Sequence, residues 1–479
     1  MRSAVVSGAT QGSAFVLRTA SMIVMARLLF PADFGLVGMV TAVTGFMAFF
    51  HDFGLSVASV QRTSVTHEQI STLFWVNLAV GTLLSLVCVA IAPALARFYS
   101  EPRLLTITVV LGAGFLLNSS AAQHRAMLQR GMRFGALAVI DTLSLLSGIV
   151  AGIGMALSGM GYWALVMMNV TPALFGATGT WVATRWIPGR PSRNSGIRSM
   201  LVFGGTVTLN NLLVYVAYNV DKMLLGRVFG ADVLGLYSRA YQLINIPTEN
   251  LNSTISQVAL PALARIKDDP QRLRSYFLQG YGLFFAVLAP LTVCGAVFAD
   301  EVIYVFLGAR WHDAAIVFRC LAPTILVFAI VNPFGWLMLA MGNTGRSLRI
   351  AFVLVPVVIT GYALGLPWGG QGVALGFSAA MVTLAIPIVV WSTRDTLITL
   401  RDVISQLLPV FTSIAVAATV ILTTSGRLRQ IQPVFVRLVI ETGVFLGVYA
   451  LFLLVVMKRQ TTYSKILVDL RQRPIPVKA

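Results

Sequence analysis

Apolar residues run along this chain in long blocks separated by short polar breaks. A helix that crosses a bilayer needs about 20 apolar residues. About 14 runs meet or approach that length, at 8–29, 34–50, 70–93, 104–122, 135–157, 161–183, 200–220, 235–263, 276–298, 313–341, 348–366, 370–391, 404–424 and 435–457. The pattern predicts an all-α polytopic membrane protein. The run at 34–50 is short, and a partly re-entrant segment is a second reading of it. The runs at 235–263 and 313–341 are long and hold Pro247, Pro323 and Pro333. Proline inside a helix removes a backbone donor and bends it, which is tolerated where the helix lines a cavity. The first run contains Arg18 and lacks a clear small-residue cleavage site, so it is expected to be a retained helix rather than a signal peptide.

Composition agrees. Of 479 residues, 57% are hydrophobic and only 11% charged, against about 25% charged in soluble domains. The net charge of +18 comes from 35 Lys and Arg against 17 Asp and Glu. A basic balance of this size suggests nucleic acid only when it forms clusters on a hydrophilic body, so no nucleic-acid partner is expected. With an inside N-terminus, 23 of the 35 basic residues fall on one alternating set of loops and the tail. The positive-inside rule then places both termini in the cytoplasm. Cys88, Cys294 and Cys320 sit in apolar stretches and read as small buried hydrophobes. His51, His67, His124 and His312 are scattered, without metal-ligand spacing. No Walker-type glycine loop is present, so ATP is not an evident energy source.

The chain repeats weakly. Ala26-Arg27-Leu28-Leu29-Phe30-Pro31-Ala32-Asp33-Phe34-Gly35-Leu36 aligns with Gly226-Arg227-Val228-Phe229-Gly230-Ala231-Asp232-Val233-Leu234-Gly235-Leu236 at an offset of 200. Met127-Leu128-x-x-Gly131 aligns with Met338-Leu339-x-x-Gly342, and Gly159-x-Gly161 with Gly370-x-Gly372, at an offset of 211. The matches fall in order at equivalent loops. Six helices per half makes these parallel repeats about an axis along the membrane normal, an arrangement some transporters use. The expected organisation is an N-terminal lobe at 1–184, a basic cytoplasmic linker at 185–199 and a C-terminal lobe at 200–393. Two further helices at 394–457 and a basic cytoplasmic tail at 458–479 follow.

Several of these segments resemble a known family. Ala26-Arg27-Leu28-Leu29-x-Pro31-x-Asp33-Phe34-Gly35-Leu36 is similar to the opening of polysaccharide-exporter flippases of the Wzx-like, colanic-acid-exporter type. So are Asp52-Phe53-Gly54-Leu55-Ser56-x-Ala58 with Gln61-Arg62, Leu128-Gln129-Arg130-x-Met132-x-Phe134 and Gly161-Tyr162-Trp163-Ala164-Leu165. The longest match is Asp221-Lys222-x-Leu224-Leu225-Gly226-Arg227 with Leu234-Gly235-x-Tyr237-Ser238-Arg239-Ala240-Tyr241. The resemblance covers about residues 5–400. It places the chain beside multidrug extruders and peptidoglycan-precursor flippases in one superfamily. It implies two pseudo-symmetric six-helix lobes in a V shape plus two C-terminal helices. The implied substrate is an undecaprenyl-pyrophosphate-linked oligosaccharide, moved across the bacterial inner membrane for exopolysaccharide, capsule or O-antigen synthesis. A polysaccharide polymerase and chain-length machinery are the implied protein partners, beside membrane lipids.

Polar groups at membrane depth are the candidate site. Arg18 lies about ten residues into the first run, roughly 15 Å deep. A charge facing lipid there costs at least about 2.5–3.5 kcal/mol. Gln11, Arg18 and Ser21 share a helical face with Ser7. Arg18 is read as a ligand for the pyrophosphate, because guanidinium pairs with phosphate oxygens; the alternative is a structural pair with Asp141 or Glu249. Asn211, Tyr215, Tyr218 and Lys222 form one stripe, and Tyr241, Asn245, Glu249, Asn252 and Ser256 another. Tyr and Asn suit sugars, and the competing reading is helix–helix glue. Glu249 is the first candidate for H+ or Na+ coupling, ahead of Asp141, Asp221 and Glu441, since a carboxyl at depth exchanges protons with conformation. Arg27 and Arg227 at equivalent helix ends are gate candidates or headgroup anchors. Arg239 either binds phosphate or anchors its helix. The four arginines of 185–198 attract anionic headgroups or serve as a plain positive-inside linker.

Two other functions were weighed against the flippase. A cation-coupled drug antiporter needs acidic lining, whereas acids are sparse here and Arg18 is cationic. A membrane polymerase or glycosyltransferase needs a carboxylate cluster or a sizeable extramembrane loop, and neither is visible, so no enzyme activity is expected.

Overall fold

A computed structural model describes residues 2–48, 66–191, 215–428 and 432–459. Fourteen α-helices are formed among them. They are α1 Arg2–Leu28, α2 Pro31–Ala48, α3 His67–Tyr99, α4 Arg103–Arg130, α5 Phe134–Leu157, α6 Tyr162–Thr184, α7 Val220–Arg265 and α8 Pro270–Val297. Then come α9 Ala299–Phe306, α10 Ala314–Ala340, α11 Thr344–Gly365, α12 Gly369–Thr393, α13 Leu400–Leu428 and α14 Val434–Leu451. Among the described residues nine candidate membrane spans are long and apolar enough to cross a bilayer, one of them covering both α11 and α12. The helices α1, α6 and α7 are not among the nine. Leu83, Val139, Val150 and Leu422 are each more than half exposed on α3, α5 and α13. Such large apolar side chains on long apolar helices are what lipid, rather than water, covers.

Most expected runs map onto single helices. The run at 200–220 lies largely outside the described residues. Pro247, Pro323 and Pro333 lie inside α7 and α10, which run through them. The break in α7 falls instead at Gly230, with φ 81° and ψ −170°, a region open essentially to glycine alone. There the chain reverses: a Cβ on Gly226 would lie 3.2 Å from the side chain of Leu234. In a straight helix residues eight apart are separated by about 12 Å. The short α9 and the 3-10 turn Ala309–Trp311 are additions that the apolar runs did not announce.

The chain divides into two compact units, Met1–Ser238 and Arg239–Ala479. In the first unit α3 packs on α4, α5 on α6, and α4 on α6, while α1 lies on α5 and α2 on α4 and α6. The start of the basic linker is fastened to this unit. Trp186 Nε1 donates to His67 Nδ1 at 3.1 Å, Gly189 N to Ser71 Oγ at 2.9 Å, and Trp75 Nε1 to Gly189 O at 2.8 Å. Phe74 meets His124, Trp181 and Trp186 edge to face around that strap, as His124 does Trp186, while His124 and Trp181 pack face to face at a tilt of 32°. Linker residues 192–199 lie outside the described residues.

Also in the first unit, α2 meets the second arm of α7 at backbone distance. A Cβ on Gly35 would lie 1.8 Å from Ala231 O, and one on Gly235 1.9 Å from Pro31 O. Under the offset of 200, Gly35 corresponds to Gly235 and Pro31 to Ala231. The two contacts therefore exchange when the two motif copies are swapped. The aligned segments pack on each other about a local two-fold relation, and only glycine permits that approach.

The second unit is built around α8. Phe284, Phe285 and Leu288 of α8 pack against Val410, Ile414 and Ile421 of α13 and against Phe445 and Tyr449 of α14. The Tyr449 hydroxyl donates to Ala286 O at 2.7 Å. The last two helices thus complete the core of this unit. Arg274 closes the same assembly through a bidentate pair with Asp402, at 2.6 and 3.1 Å.

Candidate functional site

On α1 the buried stripe consists of Ser21, Met22, Met25 and Ala26, continued by Leu29. Arg18 lies three and four residues before Ser21 and Met22, on the same face. There the packing opens and Arg18 is exposed. Among the described residues Arg18 makes no ion pair. Leu28 ends the helix ten residues on, so Arg18 sits about 15 Å from that end. An exposed cation without an ion pair among the described residues is available to an outside anion. The side chain of Gln11, from the same predicted stripe, lies outside the described residues.

Asp141, weighed as the partner of Arg18, is taken by Arg125. Both guanidinium nitrogens reach its two oxygens at 2.7 Å, tying α4 to α5. This pair spans two helices and had no sequence spacing to announce it.

The stripe before Gly230 is not one continuous helical face, because residues 218–219 form a turn. Asn211 lies outside the described residues. The Tyr215 hydroxyl donates to Thr41 O at 3.1 Å or Ala42 O at 3.2 Å of α2. Gly45 makes the space, since a Cβ there would lie 2.0 Å from that hydroxyl. Tyr218 is half-buried in the turn. Lys222 donates from Nζ to Asn219 Oδ1 at 2.8 Å. Asp221 is buried and accepts from the Lys222 backbone N–H at 2.8 Å, and Tyr237 interacts with it across the reversal at Gly230. Arg227 lays its guanidinium 5.6 Å from the ring centre of Phe98, a cation–π contact at a helix end. Arg27 is exposed at the end of α1.

In the second unit Arg239 donates to Gln242. Tyr241 stacks on Phe377 of α12, centroids 6.5 Å apart. Asn245 is buried and donates to Glu249 Oε1 at 2.6 Å, one helical turn on. Glu249 is itself exposed. Asn252 is half-buried and points an oxygen into the protein with no hydrogen-bond partner among the described residues. The stripe therefore changes character along the helix: its first turn packs, its third presents a carboxylate. Gln242 and Asn219 joined these sets through an i, i+3 spacing that was legible in the chain. Tyr237 joined through the reversal at Gly230, which was not.

Among the described residues no group of three or more His, Cys, Asp or Glu is placed to hold a metal ion.

The profile of the polysaccharide biosynthesis protein family matches residues 24–316. The chain belongs to that family. This polysaccharide biosynthesis protein is 25% identical over 369 residues to the lipopolysaccharide biosynthesis protein WzxC of Escherichia coli (strain K12), covering 74% of this chain and 73% of WzxC. Its fold matches the lipid II flippase MurJ in an inward closed conformation, with a TM-score of 0.75 at 13% identity, over 97% of this chain and 100% of that one. It also matches an inward-facing multidrug resistance MATE transporter of the MOP superfamily, with a TM-score of 0.64 at 14% identity, over 79% of this chain and 93% of that one. The two structural likenesses are likenesses of fold. The family match ends at residue 316, so α10 to α14 of the polysaccharide biosynthesis protein lie almost wholly beyond it.

Proposed function

We propose that the chain is a flippase that translocates undecaprenyl-pyrophosphate-linked oligosaccharide across the bacterial inner membrane by alternating access, with both termini in the cytoplasm. Family membership supports the polysaccharide pathway, and the fold shared with a lipid flippase supports translocation. The chain is a carrier and not a catalyst, in keeping with relatives named for biosynthesis and transport. Arg18 carries the reading: an exposed cation in line with the buried stripe of α1, about 15 Å from the helix end at Leu28, and without an ion pair among the described residues. It takes the pyrophosphate, and half-buried Tyr218 and Asn252 take sugar hydroxyls through a phenol and an amide. Glu249, exposed and hydrogen-bonded to Asn245, is the coupling acid for H+ or Na+. A polymerase and chain-length machinery receive the product.

Purified protein in liposomes tests this. A lipid-linked glycan should cross the bilayer with its mass unchanged. A changed mass means an enzyme, and uptake of organic cations in place of the glycan means the drug-antiporter alternative.

A further inference from the structure

The basic linker begins as a bound segment. Beyond the end of α6 at Thr184 the chain runs without helix through 185–191. Trp186 and Gly189 lie against the first turns of α3: the Trp186 indole donates to His67, the Gly189 N–H donates to Ser71, and Trp75 donates back to Gly189 O. The fit is close. A Cβ on Gly189 would lie 3.2 Å from His67 Nε2 and 3.4 Å from Ser71 Oγ.

The protonation state of His67 decides whether this strap holds. An indole N–H can only donate. Its bond at 3.1 Å therefore needs a lone pair on His67 Nδ1, so the imidazole is neutral with its proton on Nε2. Nε2 lies 3.5 Å from Ser71 Oγ, the oxygen that accepts the Gly189 N–H. A second proton would set Nδ1–H against the indole N–H, two donors with no acceptor between them. The charged and titratable groups on the surrounding elements are Glu68 of α3, His124 of α4, Arg130 and Arg133 at the α4–α5 turn, and Arg185 and Arg190 of the strap. None makes an ion pair with His67 among the described residues. His67 is exposed, so bulk protons reach it. His124, on the other side of the Trp186 ring, is fully buried, with Nδ1 2.7 Å from Thr184 Oγ1.

We propose that His67 is a proton-operated latch: neutral, it fastens the start of the basic linker to α3; protonated, it lets the strap go. The fastened state binds one proton fewer, so the balance moves toward release as pH falls. Release frees Trp186–Gly189, about 13 Å of extended chain. Exposed Arg190 moves with them, so acid changes where linker charge sits. The latch works whatever cargo crosses.

Hydrogen–deuterium exchange of the Gly189 amide, on the full-length protein in nanodiscs and corrected for intrinsic exchange, tests this at about pH 7.5 and about pH 5.5, either side of histidine's charge change. In the wild type, protection should fall about tenfold at the lower pH, the order of one lost hydrogen bond. His67→Gln offers an amide oxygen to the indole and gains no proton, so it should stay protected at both. His67→Phe offers no acceptor and should be open at both. His124→Phe removes the other imidazole and should follow the wild-type curve. Equal protection at both pH values in the wild type overturns the proposal. So does an acid drop that persists in His67→Gln or vanishes in His124→Phe. If His67→Gln is open at both pH values, the other three decide: an acid drop shared by the wild type and His124→Phe and missing from His67→Phe supports the latch, and any other pattern overturns it.

Discussion

The reciprocal glycine contact between α2 and the second arm of α7 sets a sharp demand. In Gly235→Ala the new methyl would lie 1.9 Å from Pro31 O, where ordinary contact begins near 3.4 Å. The two helix starts must part by about 1.5 Å, and the atom met is backbone, which cannot swing aside as a side chain can. Overpacking of this kind costs about 1–3 kcal/mol, and a backbone clash sits at the upper end. Gly35→Ala, at 1.8 Å from Ala231 O, should cost the same. At about 2–4 °C per kcal/mol for a unit of this size, each should lower the melting temperature by about 6 °C or more. The double variant should lose less than the sum, because the first substitution already parts the interface. Gly114→Ala is the control, with nothing within 4 Å of the added methyl; it should be neutral or slightly stabilising, since alanine favours helix over glycine by about 1 kcal/mol. Thermal unfolding of detergent-solubilised protein, followed by intrinsic fluorescence, gives the comparison. If Gly35→Ala or Gly235→Ala melts with Gly114→Ala, the close approach does not exist and the exchange relation of the repeats falls with it.

Four other outcomes are expected. Arg18→Ala and Arg18→Lys should both abolish or sharply reduce glycan export at normal abundance, because a lysine cannot pair in fork geometry with phosphate; normal export by both would remove Arg18 from the site. Glu249→Gln should flatten the pH dependence of transport in liposomes, and an unaltered pH profile would exclude it as the coupling acid. Tyr215→Phe deletes the bond to the α2 carbonyls and should cost about 1 kcal/mol of stability with export intact; lost export at full stability would return Tyr215 to the substrate site. At the α3–α4 turn, the hydrogen bond from Arg103 holds the Glu101 carboxyl below its ordinary range. A depressed acid stabilises the fold fully at neutral pH and loses that contribution as pH falls through its folded value. Glu101→Gln should therefore remove a small part of the acid-side drop in melting temperature, and an unchanged acid limb would exclude the pair.

Most helix positions and membrane residence were legible because a bilayer needs long apolar runs and tolerates few alternatives. Arg18 was legible for the same reason, as a charge interrupting such a run. Asn245 and Glu249 were legible through their spacing of one helical turn. The Arg125–Asp141 pair was not, because it joins neighbouring helices through their packing. The reversal at Gly230 was legible in outline, because the apolar runs 200–220 and 235–263 leave a break between them; that a single glycine dihedral makes it was not. Tyr215 looked like a sugar-binding ring by its stripe, and the gap left by Gly45 turned it toward α2.

By itself the sequence determined that this chain is an all-helical membrane protein, and its motifs tied it to polysaccharide export. Those properties follow from local content, from how apolar each stretch is and where charge breaks it. Only the tertiary structure decided which polar groups neutralise each other and which glycines bring backbones together. Pairing depends on distances between helices far apart in the chain, and hydrophobic burial, being non-directional, sets that a helix packs without setting which neighbour it meets.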